Sequence, residues 1–419
     1  MNRLLALLFI VPLIYSCRTD KEDDTVRRQV NDEGVVIATP YIWKTSLHEK
    51  EPASNSYIKH PIVYNDNIVV PTTDGDAIRT LSLMDSKDGK ILWNWNDLFE
   101  IGTEYMDIAF HYQYKELLAY QYGSRSYCIN MDNGKSEWRI RRDRSFDVRI
   151  DPYGQYYFIY AFITNSIGYE EQIAFKCDIQ TGNISEFLTA NFTYDNPDCV
   201  RAVTFVNQVP GQDNLLLVTY AENLPDWITQ SYFGLYDTIL NEWVWDKMQI
   251  APPKRTNNPY YPPQIVNGKI YAEISNSIVC HDLATGKQLW KRDFTNDFMF
   301  SGFIIEDGML IGNNEDLFAV CLDLEFGNIL WQVRTAGTCG SMSYLNGIVY
   351  FVGGSTPHLF AIEANTGKIV WKINAALLGE GFGAGFRTNA VYVLPAKDNQ
   401  PAKVIALSNL YAYCFEAYR

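Results

Sequence analysis

One phrase recurs in register along this 419-residue chain and constrains its fold more than any other feature. It reads small-x-acid-x-x-x-Gly-x-x-x-Trp at Cys280, Asp282, Gly286 and Trp290, again at Cys321, Asp323, Gly327 and Trp331, and again at Ala361, Glu363, Gly367 and Trp371. Earlier copies keep the Gly-to-Trp spacing at Asp85, Gly89 and Trp93, and at Cys128, Asn130, Gly134 and Trp138. Two copies are degraded. Asp178 and Gly182 keep the turn, but Phe187 stands one place beyond the expected Trp; Asp237 leads to Asn241 where Gly belongs and still reaches Trp245. Asn is the residue after Gly that best tolerates the left-handed conformation, so the second swap is physically sensible. Trp43 to Trp93 is 50 residues, Trp93 to Trp138 is 45, Trp245 to Trp290 is 45, Trp290 to Trp331 is 41 and Trp331 to Trp371 is 40. A period near 40 with short strands and turn signals predicts an all-β propeller, one four-stranded antiparallel blade per repeat.

Each part of the phrase has a physical reading. The segment before the acid is a short β-rich strand, as in Ile278-Val279-Cys280. Asp-x-x-Thr-Gly is a hairpin turn, in which the carboxylate accepts from turn amides and Gly supplies a positive φ. The next strand carries the Trp, whose ring can pack on the neighbouring blade while its indole N–H finds a backbone acceptor. Upstream, Asn267-Gly268, Asn346-Gly347 and Asp307-Gly308 mark a second hairpin in the same unit.

This pattern resembles the quinoprotein-type (PQQ-like) propeller repeat over roughly residues 40 to 419. The resemblance implies one of two branches: quinone-dependent dehydrogenases, or non-enzymatic lipoproteins of the outer-membrane β-barrel assembly machinery. The first branch usually shows a vicinal Cys-Cys pair and calcium-binding carboxylates. This sequence has no Cys-Cys pair and no identifiable match for the family's catalytic Asp. The reading is therefore a protein that is not an enzyme, with no cofactor and no metal.

A propeller must also close, because an open blade edge exposes unpaired backbone groups. Trp43-Lys44-Thr45 resembles Trp290-Lys291-Arg292 without its upstream partners, and the C-terminal strands around 389–393 and 403–407 lack such a strand. Trp43 is expected to complete the final blade. That gives eight blades, or seven if one degraded unit merges with its neighbour.

The N-terminus reads as a signal peptide over 1–16. Leu4 to Tyr15 is apolar but too short to span a bilayer. Ile14-Tyr15-Ser16-Cys17 resembles a lipobox, which makes Cys17 the expected lipidation site. Residues 17–39 are expected to be a flexible tether, charged at Arg18 to Asp24, with the propeller over 40–419. Arg18 after the cysteine favours the outer membrane and leaves its two faces open. The formal charge of −14 becomes about −15 once Arg3 leaves with the signal. An acidic surface repels phosphate backbones, so nucleic acid is excluded as a partner.

With Cys17 set aside, seven cysteines remain, and no CxxC occurs. Spacing cannot name a disulfide. Cys128, Cys280 and Cys321 fall at one repeat position and read as small core residues. The histidines form no i, i+2 or i, i+4 pair. Two loops carry apolar aromatics: Trp227 lies within 223–228, and Tyr260 and Tyr261 lie within 252–263. Rigid aromatics at a rim make binding anchors. The sequence thus predicts an outer-membrane scaffold for protein partners, attached to the membrane through its lipid. A glycan- or ligand-binding surface lipoprotein is the alternative.

Overall fold

The computed structural model describes residues 26–48, 57–58, 61–73, 79–100, 107–108, 111–146, 149–164, 170–189, 201–224, 226, 228–253, 261–295, 302–337 and 340–418. Strands dominate it, and a four-residue 3-10 turn at Ala375–Leu378 interrupts them. Eight blades follow one another in sequence: blade 1 at 62–95, blade 2 at 111–141, blade 3 at 151–189, blade 4 at 201–249, blade 5 at 264–293, blade 6 at 303–334, blade 7 at 343–373 and blade 8 at 386–416. Each is an antiparallel up-and-down sheet. Blades 3 and 4 join into one continuous sheet through a parallel contact of Glu171 with Arg201, yet each keeps its own four strands.

Blade 8 takes its outer strand from the other end of the chain. Trp43–Ser46 runs antiparallel to Tyr411–Glu416, with Trp43 opposite Cys414 and Ser46 opposite Tyr411. Ile42 N–H donates to the Cys414 carbonyl at 2.6 Å and Leu47 N–H to that of Leu410 at 2.9 Å, which extends the ladder on both sides. Apolar clusters fill the gap between each blade and the next all the way round, blade 8 against blade 1 included. At that last seam Trp43, Tyr392 and Ile405 meet Ile68, Val70 and Met84. The ring is closed, and no blade interface is left as a bare apolar face.

The tether boundary needs correction. Gln29–Val30 and Val36–Ala38 form a small hairpin within the segment expected to be flexible. Val36–Ala38 then adds in parallel to the outer strand of blade 7, with Val36 opposite Trp371. The reason is compositional: Val35-Val36-Ile37-Ala38 is apolar, unlike Arg18 to Asp24, and burying it repays the ordering of the segment. Cys17 and residues 17–25 lie outside the described residues.

Antiparallel connectivity sorts the loops. Turns between the first and second strands of a blade, and between its third and fourth, emerge on one face; loops between the second and third strands, and from blade to blade, emerge on the other. The repeated Asp-Gly turns all lie on the first face. The strand ends at Leu224 and Gln249, which lead into the two aromatic stretches, lie on the second.

Candidate interaction surfaces

The repeat motif proves to be a chain of latches. Each indole N–H donates to the carbonyl of the residue after the acid in the next blade. Trp43 reaches Ser86 at 3.0 Å, Trp93 reaches Met131 at 2.8 Å and Trp138 reaches Ile179 at 2.8 Å. Trp245 reaches Leu283 at 3.0 Å, Trp290 reaches Leu324 at 3.1 Å and Trp331 reaches Ala364 at 2.6 Å. The same ring lies over the next blade's turn glycine. A Cβ added at Gly89, Gly134, Gly182, Gly286, Gly327 or Gly367 would stand 2.5 to 3.0 Å from the facing Trp ring. Those glycines hold φ between 68° and 75°, so the turn forbids a side chain for two separate reasons.

The acids brace these turns. The Asp85 carboxylate accepts from Lys87 N–H at 2.7 Å, that of Asp178 from Gln180 and Thr181, and that of Asp237 from Ile239 and Leu240. Asp282 accepts from Thr285 N–H at 2.8 Å, Asp323 from Phe326 at 2.7 Å, and Glu363 from the Thr366 hydroxyl at 2.9 Å. A β-bulge aims each ring: in blades 1, 2, 4, 5, 6 and 7 the residue just before the Trp is skipped by the strand pairing. Trp371 differs. It packs edge-on against Phe415 and Tyr418 in blade 8.

The two degraded copies are halves of one missing latch. Blade 3 offers Phe187, whose ring has no N–H and packs at a tilt against Phe158 in its own blade; blade 4 offers Asn241, at φ 54°. With no ring lying over the turn, the position accepts a side chain. The fastening moves to the inner strands instead. The Tyr160 hydroxyl donates to the buried Asp151 carboxylate and accepts from Val206 N–H of blade 4 at 3.0 Å. The Arg149 guanidinium lies over Tyr160 and Phe205 and donates to the Thr204 carbonyl at 2.8 Å.

Beside this seam, on the loop face, opens an axial cavity of about 450 Å³. Tyr261, Pro263, Phe303 and Met342 supply its apolar wall, and Asp151 and Asn207 its polar one. Asn207 reaches the Pro263 carbonyl at 3.4 Å. Of the three candidate aromatics, Tyr261 lines this cavity, while Trp227 and Tyr260 lie outside the described residues. Pattern reasoning missed Asp151 and Asn207, which sit on strands with no motif of their own. The Gly-rich stretch 379–385 leads into the strand Phe386–Leu394, and Gly385 lies against Pro357.

The titratable groups are turned inward. Burial pushes the thiols of Cys128, Cys321 and Cys414 up to about 12 and that of Cys280 to about 11, so these stay protonated and poorly nucleophilic at neutral pH. His281 is buried and held below the usual histidine range by desolvation, its Nδ1 donating to the Gly286 carbonyl at 2.9 Å. His48 bridges the closing strand to blade 8: Nε2 donates to the Asn409 carbonyl at 2.7 Å, which leaves Nδ1 to accept from Thr73. Among the described residues, no three His, Cys, Asp or Glu side chains gather as a metal site would require.

The outer strands leave a second surface. The bulged residue before each Trp is exposed Glu137 in blade 2 and exposed Leu92, Val244 and Leu289 in blades 1, 4 and 5, while in blade 3 the pairing skips Phe187 itself. In blade 6 it is Leu330, beside exposed Ile329 and Phe326.

Comparison with known proteins agrees with this architecture. A family model described as outer membrane protein assembly factor BamB matches residues 318–410, which is blade 6 to blade 8. BamB of Shewanella oneidensis is 28% identical over 123 residues, a stretch covering 26% of this chain and 31% of that protein. Among solved structures, Sqt1 of Saccharomyces cerevisiae aligns with a TM-score of 0.59 at 10% identity, over 90% of this chain and 99% of that one. The computationally designed Ika8 protein aligns at 0.54 and 11% identity, over 89% and 99%. BamB from Moraxella catarrhalis aligns at 0.50 and 12% identity, over 88% and 98%. At such identities the structural matches speak for the propeller fold alone.

Proposed function

We propose that this chain, an eight-bladed propeller of PQQ-like repeats that resembles BamB, is a non-catalytic lipoprotein scaffold of the outer membrane. It would be anchored through Cys17 and act in outer-membrane protein assembly. The observation that carries the reading is the latch ring: six indoles fasten blade to blade and the motif acids brace the turns beneath them, and what remains for partners is rim and loop. The BamB-like sequence of blades 6 to 8 supports the assembly role. The buried, protonated thiols support a structural part for the recurring cysteines.

The test is a cross-linked pull-down of the tagged full-length protein from detergent-solubilised outer membranes, read by mass spectrometry. Recovery of barrel-assembly subunits is the expected result. Recovery of glycan-uptake components instead would move the function to ligand binding. That second reading is favoured by the Tyr261-lined axial cavity, and glycan-array binding lost in Tyr261→Ala would support it. Robust dye reduction after reconstitution with quinone and calcium would overturn the non-catalytic reading.

A further inference from the structure

The chain enters the propeller at one corner of the ring. Gln29 stands opposite Ala38 in the N-terminal hairpin, and Val36 stands opposite Trp371 in blade 7. Because Val36–Ala38 runs parallel to Ile369–Ile373, Gln29 sits where that outer strand reaches the loop face. The connection from blade 7 to blade 8, residues 374–385, starts at the same point. Asn374 N–H donates to the Ile37 carbonyl at 3.1 Å, and the Asn374 side chain caps the 3-10 turn by accepting from Ala376 N–H at 2.9 Å. Val26 of the entering segment and Ala384 of the connection pack on one apolar cluster, which includes Ala375 and Leu378.

Two apolar side chains leave this connection for solvent: Leu377 is 41% exposed and Phe382 is fully exposed. Phe382 is held there. It tips a turn closed by Ala384 N–H donating to the Gly381 carbonyl at 3.3 Å, with Gly381 and Gly383 at φ 88° and 86°. Phe386 N–H ties the end of the connection to the Pro357 carbonyl at 2.8 Å. Every other exposed large apolar side chain among the described residues stands on an outer or added strand, or in the stretch leading into one. The same corner is basic within a chain of net charge −14: Arg27 and Arg28 are both exposed, while the one acid of the connection, Glu380, is half-buried and turned toward Tyr413. Eight residues separate Val26 from Cys17. An extended chain spans at most about 3.6 Å per residue, so a lipid on Cys17 would keep this corner within roughly 30 Å of the membrane.

We infer that this corner rests on the phospholipid bilayer. Phe382 and Leu377 enter its interface, and Arg27 and Arg28 meet anionic headgroups. The apolar pair supplies the contact, and the arginines give it a preference for a negative surface. Blades 3 and 4, across the ring from blades 7 and 8, would then point away from the membrane. The inference deepens the scaffold reading by giving the propeller an orientation, and it rests on that reading for the lipid that brings the corner to the bilayer.

The test uses the full-length protein with a photoreactive benzoylphenylalanine in place of Phe382, reconstituted on vesicles of phosphatidylethanolamine and phosphatidylglycerol. A second sample carries the same analogue in place of Phe326, which is also exposed but lies on the turn face of blade 6. After irradiation, mass spectrometry should find phospholipid adducts at 382 and few at 326. Arg27→Glu with Arg28→Glu should lower the yield at 382 severalfold. All four positions are exposed, so an unchanged melting temperature certifies that each variant is folded. Equal yields at 382 and 326 would overturn the proposal, since the propeller would then have no fixed orientation. So would a yield indifferent to the two arginines, or an adduct at 382 to protein and not to lipid in native membranes. The mass of the Cys17 peptide keeps the two readings apart. A lipidated protein that floats with the vesicles yet gives no lipid adduct at 382 overturns the corner and leaves the anchor standing; an unlipidated protein that gives the adduct does the reverse.

Discussion

Gly327 carries two constraints that one substitution tests together. Its φ is 68°, and an added Cβ would meet the Trp290 ring at 2.5 Å. Gly327→Ala should cost about 1–3 kcal/mol from backbone strain alone, before the clash is counted. Asn241→Gly, at the turn with no ring above it, should change stability by less than about 1 kcal/mol. Urea denaturation of both variants measures the difference; equal losses would mean that the latch contributes nothing. Trp290→Phe keeps most of the ring and removes the donor to the Leu324 carbonyl, with an expected loss of about 1–3 kcal/mol. His281 gives a pH signature. Burial holds its folded pKa below the ordinary value of about 6.5, so below that pH the unfolded chain binds a proton the folded one refuses. Stability should therefore be level above neutrality and fall as pH drops through 6.5. His48 and His358 are shifted in the same direction and add to the fall. His281→Gln should flatten part of the slope between pH 7.5 and 5.5, followed by urea midpoints.

At the scale of strands and blades, the closing strand is the element with the most to lose. A chain beginning at residue 61 lacks both Trp43–Ser46 and the strand on blade 7. Its melting temperature, followed by circular dichroism, should drop well below that of the longer chain, and an unchanged value would sink the closure model. The truncation also uncovers Cys414, which faces Trp43 and whose thiol is pushed to about 12 when buried. Cys414 should be silent to a thiol reagent at pH 8 in the whole protein and should react once the strand is gone. Both the turn register and the closing strand were legible in the sequence, because a hairpin and its Trp are local requirements that each repeat must meet again. The docking of 29–38 was not. Whether an apolar run such as Val35 to Ala38 is buried depends on an edge more than 300 residues away, and no local pattern encodes that.

Over the whole ring, blades 3 and 4 stand apart. Their outer latch is missing and their inner strands share the Arg149, Tyr160 and Asp151 network instead. Tyr160→Phe removes a donor from a buried carboxylate and a support from Val206 N–H, and should cost about 1–3 kcal/mol in urea. The same substitution should speed amide exchange at this seam more than at any indole-latched one; equal exchange everywhere would argue against a local role for the network. The axial cavity escaped sequence reading for a related reason. Its wall is assembled from inner strands and irregular connections of blades 2 to 7, each contributing one to four residues, so no single stretch carries a signature. Tyr261 was legible because it stands in a run of prolines and aromatics; Asp151 and Asn207 were not.

His48 and Asn409 meet across 361 residues of chain. Contacts of that span come late, since the entropy of closing a long loop is lost before any contact within it is gained. A closing strand made early in synthesis is thus among the last to find its place. Until the final blade arrives, a ring one strand short holds both its seam and the edge of blade 8 open to any passing strand. Slow maturation, and a need for shelter during it, is built into the topology itself.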